Sequence, residues 1–346
     1  MNKSPNACWN RRRFLKSLSA TGAFGLAGLK TGIAAADPPP ETTSLTILQD
    51  PQFPVLCYGP QYVATEMLKL EGFKEIKYVP YNPDLGALDA RVLASADADI
   101  TTAWVPDIIS TVDGGGPVVA LSGMHVGCTE IFAHSGIRSI RDLKGKKFAL
   151  STPTGSAEHG WLSILFTYIG LDPDRDIEWV ELPYEEWGDL LAAGEVDAVM
   201  LWPPDAQVFR NQKIGHVILD TGTDKPWRDY YCCAIAGNMD FVQQNPVATR
   251  RAMRAILKAT DLCAQDPETA ARIVTANGFP TDYETALQVF SEVPYALWRD
   301  VDPEDTLRFY ALRMHKLGLI ETPPEELVTK ASDWRFLREL KRELKA

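Results

Sequence analysis

The chain has 346 residues, 45% of them hydrophobic, with 35 Lys and Arg against 46 Asp and Glu and a formal charge of −11. That length is enough for two domains of ordinary size, each with its own core. The acidic balance disfavours nucleic acid and anionic membranes as partners.

The first residues stand apart from the rest. Asn10-Arg11-Arg12-Arg13-Phe14-Leu15-Lys16 is followed by an apolar run, Leu18 to Ile33, rich in Ala and Gly and broken by Lys30. The run ends at Ala34-Ala35-Ala36, just before Asp37. A charged region, an apolar region and a small-residue cleavage site in that order read as an export signal, and the arginine pair reads as a twin-arginine one. The apolar run is too short and too glycine-rich for a membrane anchor. Cys8 precedes the arginines, so it is not a lipid-attachment cysteine. The expectation is a signal peptide over residues 1–36, whose removal leaves a periplasmic protein with no direct membrane insertion. That segment holds six of the 35 basic residues and no acids, so the remainder has 29 bases against 46 acids, a charge of −17. An anionic ligand would need local donors, because the global field repels it.

Residues 37–44 carry Pro38-Pro39-Pro40 and read as a linker. Leu45–Leu48 is a predicted strand, Tyr62–Leu70 a helix closed by Gly72, and Lys74–Tyr81 a second strand. The pattern continues with a helix over Leu88–Leu93 and strands over Asp99–Ala103 and Val118–Leu121. Lys147–Ser151 is a strand, Ala157–Ile169 a helix stopped by Gly170, and Ile177–Leu182 a strand. Glu185–Ala193 is helical, and Ala198–Leu201 and His216–Asp220 are strands. Strands alternating with helices imply an α/β fold with right-handed crossovers and mostly parallel sheets. From Pro246 the chain becomes almost wholly helical: Ala248–Cys263, Pro267–Asn277, Asp282–Phe290, Pro303–Leu317, Pro324–Lys330 and Trp334–Leu344. Several of these open with Pro or an acid in the first turn, as helix starts prefer.

Two apolar stretches, near 128–133 and 230–236, read as crossings in opposite directions between lobes. The first lobe is then discontinuous, residues 45–127 plus 237–346, with the second, 134–229, inserted into it. A crevice between two such lobes is a preferred ligand site, and hinge closure is the motion it permits.

Five cysteines lie beyond the export signal: Cys57, Cys128, Cys232, Cys233 and Cys263. The count is odd and the spacing matches no metal motif. Adjacent Cys232 and Cys233 are not expected to share one face of a strand. They read as buried apolar residues with no disulfide framework, and no metal or cofactor is implied.

The candidate site residues sit where strands end. Ser151-Thr152-Pro153-Thr154-Gly155-Ser156 joins a strand to a helix start. Thr152, Thr154, Gly155 and Ser156 there offer either donors for an anion or carbonyl edge, or simply a helix cap. Trp104, after Thr102, and Trp202, before Pro203-Pro204, each follow a strand end. There each either stacks on a planar ligand or lids the core. Gln49 and Asp50 end the first strand. His125 precedes the first crossing, and His159 lies one turn into the helix beside the donor loop. Gly-x-Ser-x-Gly, His-Glu-x-x-His and a phosphate-cradling loop ending in Gly-Lys-Ser/Thr are all missing from the sequence, which points towards binding rather than catalysis.

Gly136-Ile137-Arg138-Ser139-Ile140-Arg141-Asp142-Leu143-Lys144-Gly145-Lys146-Lys147, the loop 151–156 and Ala193-Gly194-Glu195-Val196-Asp197-Ala198 together resemble substrate-binding proteins of the nitrate/sulfonate/taurine type. The likeness runs from about Leu45 to Leu317. It implies a two-lobed type II periplasmic binding protein that serves as a monomer for an ABC permease and its ATPase. The resemblance names no ligand; Trp104 and Trp202 beside the Thr/Ser loop suggest a small molecule such as a sulfonate, a carboxylate or a pyrimidine-like heterocycle rather than bare nitrate. The same domain occurs in yeast-type thiamine pyrimidine synthases, which implies an enzyme as the alternative, with Tyr230-Tyr231-Cys232-Cys233 at the place of their cysteine-rich run. A ligand-sensing co-receptor would use the same crevice.

Overall fold

The computed structural model describes residues 37–49, 55–80 and 89–344. The export-signal segment, 1–36, and the candidate residue Asp50 lie outside them. Residues 38–346 group as one compact unit.

Among the described residues ten strands form three sheets. β1 (Ser44–Leu48) pairs in parallel with β2 (Glu75–Val79). β3 (Ile100–Trp104) and β4 (Val118–Val126) flank β10 (Tyr231–Asn238) in an antiparallel sheet ordered β3-β10-β4. The remaining strands are β5 (Glu130–Ala133), β6 (Lys146–Leu150), β7 (Ile177–Glu181), β8 (Ala198–Leu201) and β9 (His216–Asp220). They form a five-stranded sheet ordered β7-β6-β8-β5-β9. Every residue of β3, β4, β5, β8 and β10 is buried, as expected for strands covered on both faces. Within these strands apolar runs replace polar alternation.

The sheets are mixed rather than mostly parallel. β5 runs antiparallel to both β8 and β9, and β10 antiparallel to both its neighbours. The stretches expected to cross between the lobes are themselves strands, β5 and most of β10, that run the other way. The stretch near 230–236 forms most of β10, the central strand of its sheet.

The expected helix over 62–70 is two helices, Gly59–Val63 and Thr65–Leu70, broken at Ala64, where ψ is −9°. Three further helices, Val105–Asp113, Asp205–Gln212 and Met239–Gln244, follow directly on strand ends or a turn. Of the C-terminal helices, Pro246–Gln265 and Arg335–Glu343 contact β4 of the three-stranded sheet. The 20-residue helix Pro246–Gln265 packs against Gly59–Val63 and Pro267–Ala276, burying Met253, Ile256 and Leu257 along one side.

Candidate functional site

The register of the antiparallel sheet sets out one wall of a site. Cys233 of β10 faces Trp104 of β3 on one side and His125 of β4 on the other. From this row Trp104 reaches a cavity of about 380 Å³. The carboxyl ends of two strands of the five-stranded sheet meet it there: Ser151 and Thr152 follow β6, and Trp202 follows β8. Strand ends are where open α/β sheets take ligands. The turn Leu56–Tyr58 closes another side and is tied across by Leu56 N–H donating to the Pro203 carbonyl at 3.0 Å.

The aromatic part of the lining is Tyr58, Trp104, Tyr184 and Trp202. The Trp104 and Trp202 rings meet edge to face, with centroids 6.3 Å apart. Trp104 is only 8% exposed and also touches Trp161, so it lids the core and lines the cavity at once.

The polar part is acidic. Asp89, Asp107, Glu158 and Glu185 line the cavity, and among the described lining residues there is no Lys, Arg or His. Asp107 sits in the first turn of Val105–Asp113. Its Oδ2 accepts from Ala90 N–H at 2.8 Å, while Oδ1 is buried without a hydrogen-bond partner. Burial and the neighbouring Asp89 carboxylate push Asp107 up to about 7. Asp89 accepts hydrogen bonds from the Tyr58 hydroxyl and from Trp104 N–H.

Glu158 changes the reading of the donor loop. Its Oε2 accepts from Ser151 N–H and Oγ–H at 3.1 and 2.9 Å, and from Thr152 N–H and Oγ1–H at 3.1 and 2.7 Å. The donors expected to cradle an anionic ligand are therefore already turned onto the protein's own carboxylate. Oε1 of Glu158 is buried with no partner, and burial raises the group's pKa despite the hydrogen bonds, which lower it. Thr154 donates through both N–H and Oγ1–H to Glu181, and Ser156 caps the helix by accepting from His159 N–H at 3.2 Å. Gly155 has φ +95°, a left-handed turn position that favours glycine, and does not line the cavity.

The other candidate residues are placed as follows. Thr102 is fully buried, donating N–H to Gln61 Oε1 at 2.7 Å and Oγ1–H to Met124 Sδ, so it supports the core. Gln49 extends the β1–β2 ladder by donating N–H to the Val79 carbonyl. His159 packs its ring against Trp179, centroids 4.7 Å apart, with neither ring nitrogen partnered. His125 lies beside the cavity wall, buried against Tyr295. Of the candidates, Trp104, Thr152 and Trp202 meet at the cavity. Tyr58, Asp89, Asp107, Glu158 and Tyr184 join them. For Asp107 and Glu158 the sequence held a signal, an acid in the first turn of a helix that follows a strand end.

Cys57 and Cys233 also stand against the cavity, 0% and 2% exposed. With Cys128 and His125 they form one buried cluster. The expectation that Cys232 and Cys233 point apart fails here. β10 slips register between Tyr231 and Cys233 and again between Cys233 and Ala234, and the two sulfurs lie 3.6 Å apart. A bulge suspends the alternation that would have separated them. All five cysteines among the described residues are buried, and none is in a disulfide.

Residues 120–277 match the NMT1-like family. The chain is 28% identical over 141 residues to the nitrate/nitrite binding protein NrtA of Nostoc, which is 40% of this chain and 31% of that protein, so it spans about a third of this relative. It is 25% identical over 228 residues to a chain of Brucella abortus described as a binding protein, 64% of this chain and 68% of that one. The crystal structure of the periplasmic nitrate-binding protein NrtA from Synechocystis superposes with a TM-score of 0.73 at 19% identity, covering 88% of this chain and 90% of that one. The chain thus carries an NMT1-like segment over residues 120–277, within a chain that has the periplasmic-binding-protein fold over nearly all its described length.

Proposed function

We propose that this chain is the solute-capturing component of an ABC importer. In this reading it is exported to the periplasm by its twin-arginine segment and delivers its solute as a monomer to a permease and ATPase. The lobes 45–127 plus 237–346 and 134–229 close on the solute, because contacts from both sides favour the closed form by their differential affinity. The sequence relatives, which are binding proteins, support this over the synthase alternative.

The solute itself is a small planar molecule with a positive charge or several hydrogen-bond donors, such as a protonated amino-heterocycle. One observation carries this: the cavity sets aromatic faces beside Asp107 and Glu158, each with a buried carboxyl oxygen that has no hydrogen-bond partner, with no basic side chain among the described lining. Cations favour aromatic faces and buried carboxylates, whereas an anion there meets like charge. NrtA is named for nitrate and nitrite. The lining here favours the heterocycle end of the expected ligand range over its sulfonates and carboxylates.

A thermal-shift panel tests this with aminopyridinium and benzamidinium set against nitrate, taurine and methanesulfonate. The cations are expected to raise the melting temperature and the anions to leave it unchanged. Stabilisation by the anions alone would overturn the choice of solute.

A further inference from the structure

Four chain segments distant in sequence bring sulfur and nitrogen to one point. Cys57 comes from the turn Leu56–Tyr58, His125 from β4, Cys128 from the link between β4 and β5, and Cys233 from the bulge in β10. One ligand atom from each lies within 4.8 Å of all the others, and all four residues are buried. We propose that Cys57, His125, Cys128 and Cys233 bind one soft, closed-shell cation, with zinc(II) as the reference case, in the wall of the cavity. This goes beyond solute capture and does not depend on it.

The donor set is the first argument. Three thiols and an imidazole are a tetrahedral zinc set, with metal–sulfur bonds of about 2.3 Å and therefore sulfur–sulfur edges of roughly 3.8 Å. The cluster needs to contract by only about 1 Å at its widest to reach that shape. Ligands drawn from four segments leave no spacing motif, which explains why the sequence carries none.

The histidine is the second argument. His125 Nδ1 lies 3.2 Å from the Val126 carbonyl, which can only accept, so the proton sits on Nδ1. The lone pair is then left on Nε2, which is buried with no hydrogen-bond partner. A backbone carbonyl fixing the far nitrogen is the usual support of a metal-bound imidazole.

The thiols are the third. None is in a disulfide, and Cys128 and Cys232 stand 3.4 Å apart, well beyond the roughly 2.05 Å of a bond. Cys232, outside the four, is placed to donate its S–H to the sulfur of Cys128. Binding a divalent cation displaces the protons of three thiols and none from the neutral imidazole, so the filled site carries a single negative charge. Uptake therefore strengthens as the pH rises.

The test uses the full chain, reduced and stripped with a chelator, titrated with cobalt(II) in the absence of any solute. The expected result is one equivalent bound, with a thiolate-to-cobalt charge-transfer band and the red-visible bands of a tetrahedral ion, both abolished by zinc. Cys128→Ser and His125→Gln should each weaken binding by about tenfold or more, and Cys263→Ser, outside the cluster, should leave it intact. Circular dichroism separates lost binding from lost fold, and Cys233→Ser serves as a second variant. A folded, reduced chain that takes up no cobalt overturns the proposal. So does a six-coordinate cobalt spectrum without the thiolate band, or uptake that survives Cys128→Ser. A chain that holds a Cys128–Cys232 disulfide and still takes up no cobalt after reduction overturns it as well. Because no solute is present, the outcome is independent of which solute the cavity captures.

Discussion

At Asp107 one carboxyl group couples protonation to both stability and binding. Its pKa stands at about 7 against a reference of 3.8, raised by burial and by Asp89. A raised folded value in an acid means that the folded state holds the proton more tightly than the unfolded chain does. Its contribution to stability is thus fully present below 3.8 and is lost as the pH rises through about 7. Urea denaturation of the unliganded chain should show this loss, reduced in Asp107→Asn. Affinity for a cationic solute should move the opposite way, rising with pH through the same window and releasing a proton measurable by calorimetry in buffers of different ionisation enthalpy. Glu158→Gln, which removes the other unpartnered carboxylate oxygen, should weaken a cationic solute by roughly tenfold, about 1.4 kcal/mol. The sequence made Trp104, Thr152 and Trp202 legible, because strand ends and loop composition can be read locally. It did not disclose that Glu158 occupies the loop's donors. That depends on one side chain folding back from the helix start onto a loop whose residues look, in isolation, like an open anion cradle.

Among the elements, β10 does most to fix the site. Its bulges turn Cys233 into the row with Trp104 and His125, and its first residue anchors the far end. The Tyr231 hydroxyl lies 2.9 Å from the carbonyls of both Trp298 and Val301, in the turn that precedes helix Pro303–Lys316. Removing it in Tyr231→Phe should cost about 1 kcal/mol, measured by denaturation, with the cavity unchanged. A larger loss is expected at Gly127, in the link that follows β4. A Cβ there would stand 1.9 Å from the Thr221 carbonyl oxygen, which is backbone and has little room to move. Gly127→Ala should therefore destabilise by about 3 kcal/mol or more. In the sequence β10 read as a crossing between lobes and not as a paired strand, because a buried strand and a buried linker share the same apolar composition. Only hydrogen-bond pairing on both sides distinguishes them.

Across the whole molecule, the alternation of strands and helices from Leu45 to Asp220 conveyed the α/β class, and the change at Pro246 conveyed the helical cover. The mixed direction of the sheets was not legible, since periodicity says nothing about which way a neighbouring strand runs. The five-stranded sheet and the helices beyond Pro246 are joined by polar contacts. Arg210 pairs with Glu292 and lies 3.3 Å from Glu130, and Gln207 donates to Glu292 at 3.0 Å. Glu292→Gln should loosen this latch. Small-angle scattering is then expected to show a larger radius of gyration without solute, and the solute is expected to bind about two- to fivefold more weakly. The most direct test of the account is isothermal calorimetry of the purified chain with aminopyridinium and with taurine, above and below neutral pH. The account predicts saturable binding of the cation that tightens as the pH rises and no binding of taurine. Tight taurine binding that strengthens on acidification, with no response to the cation, would contradict it.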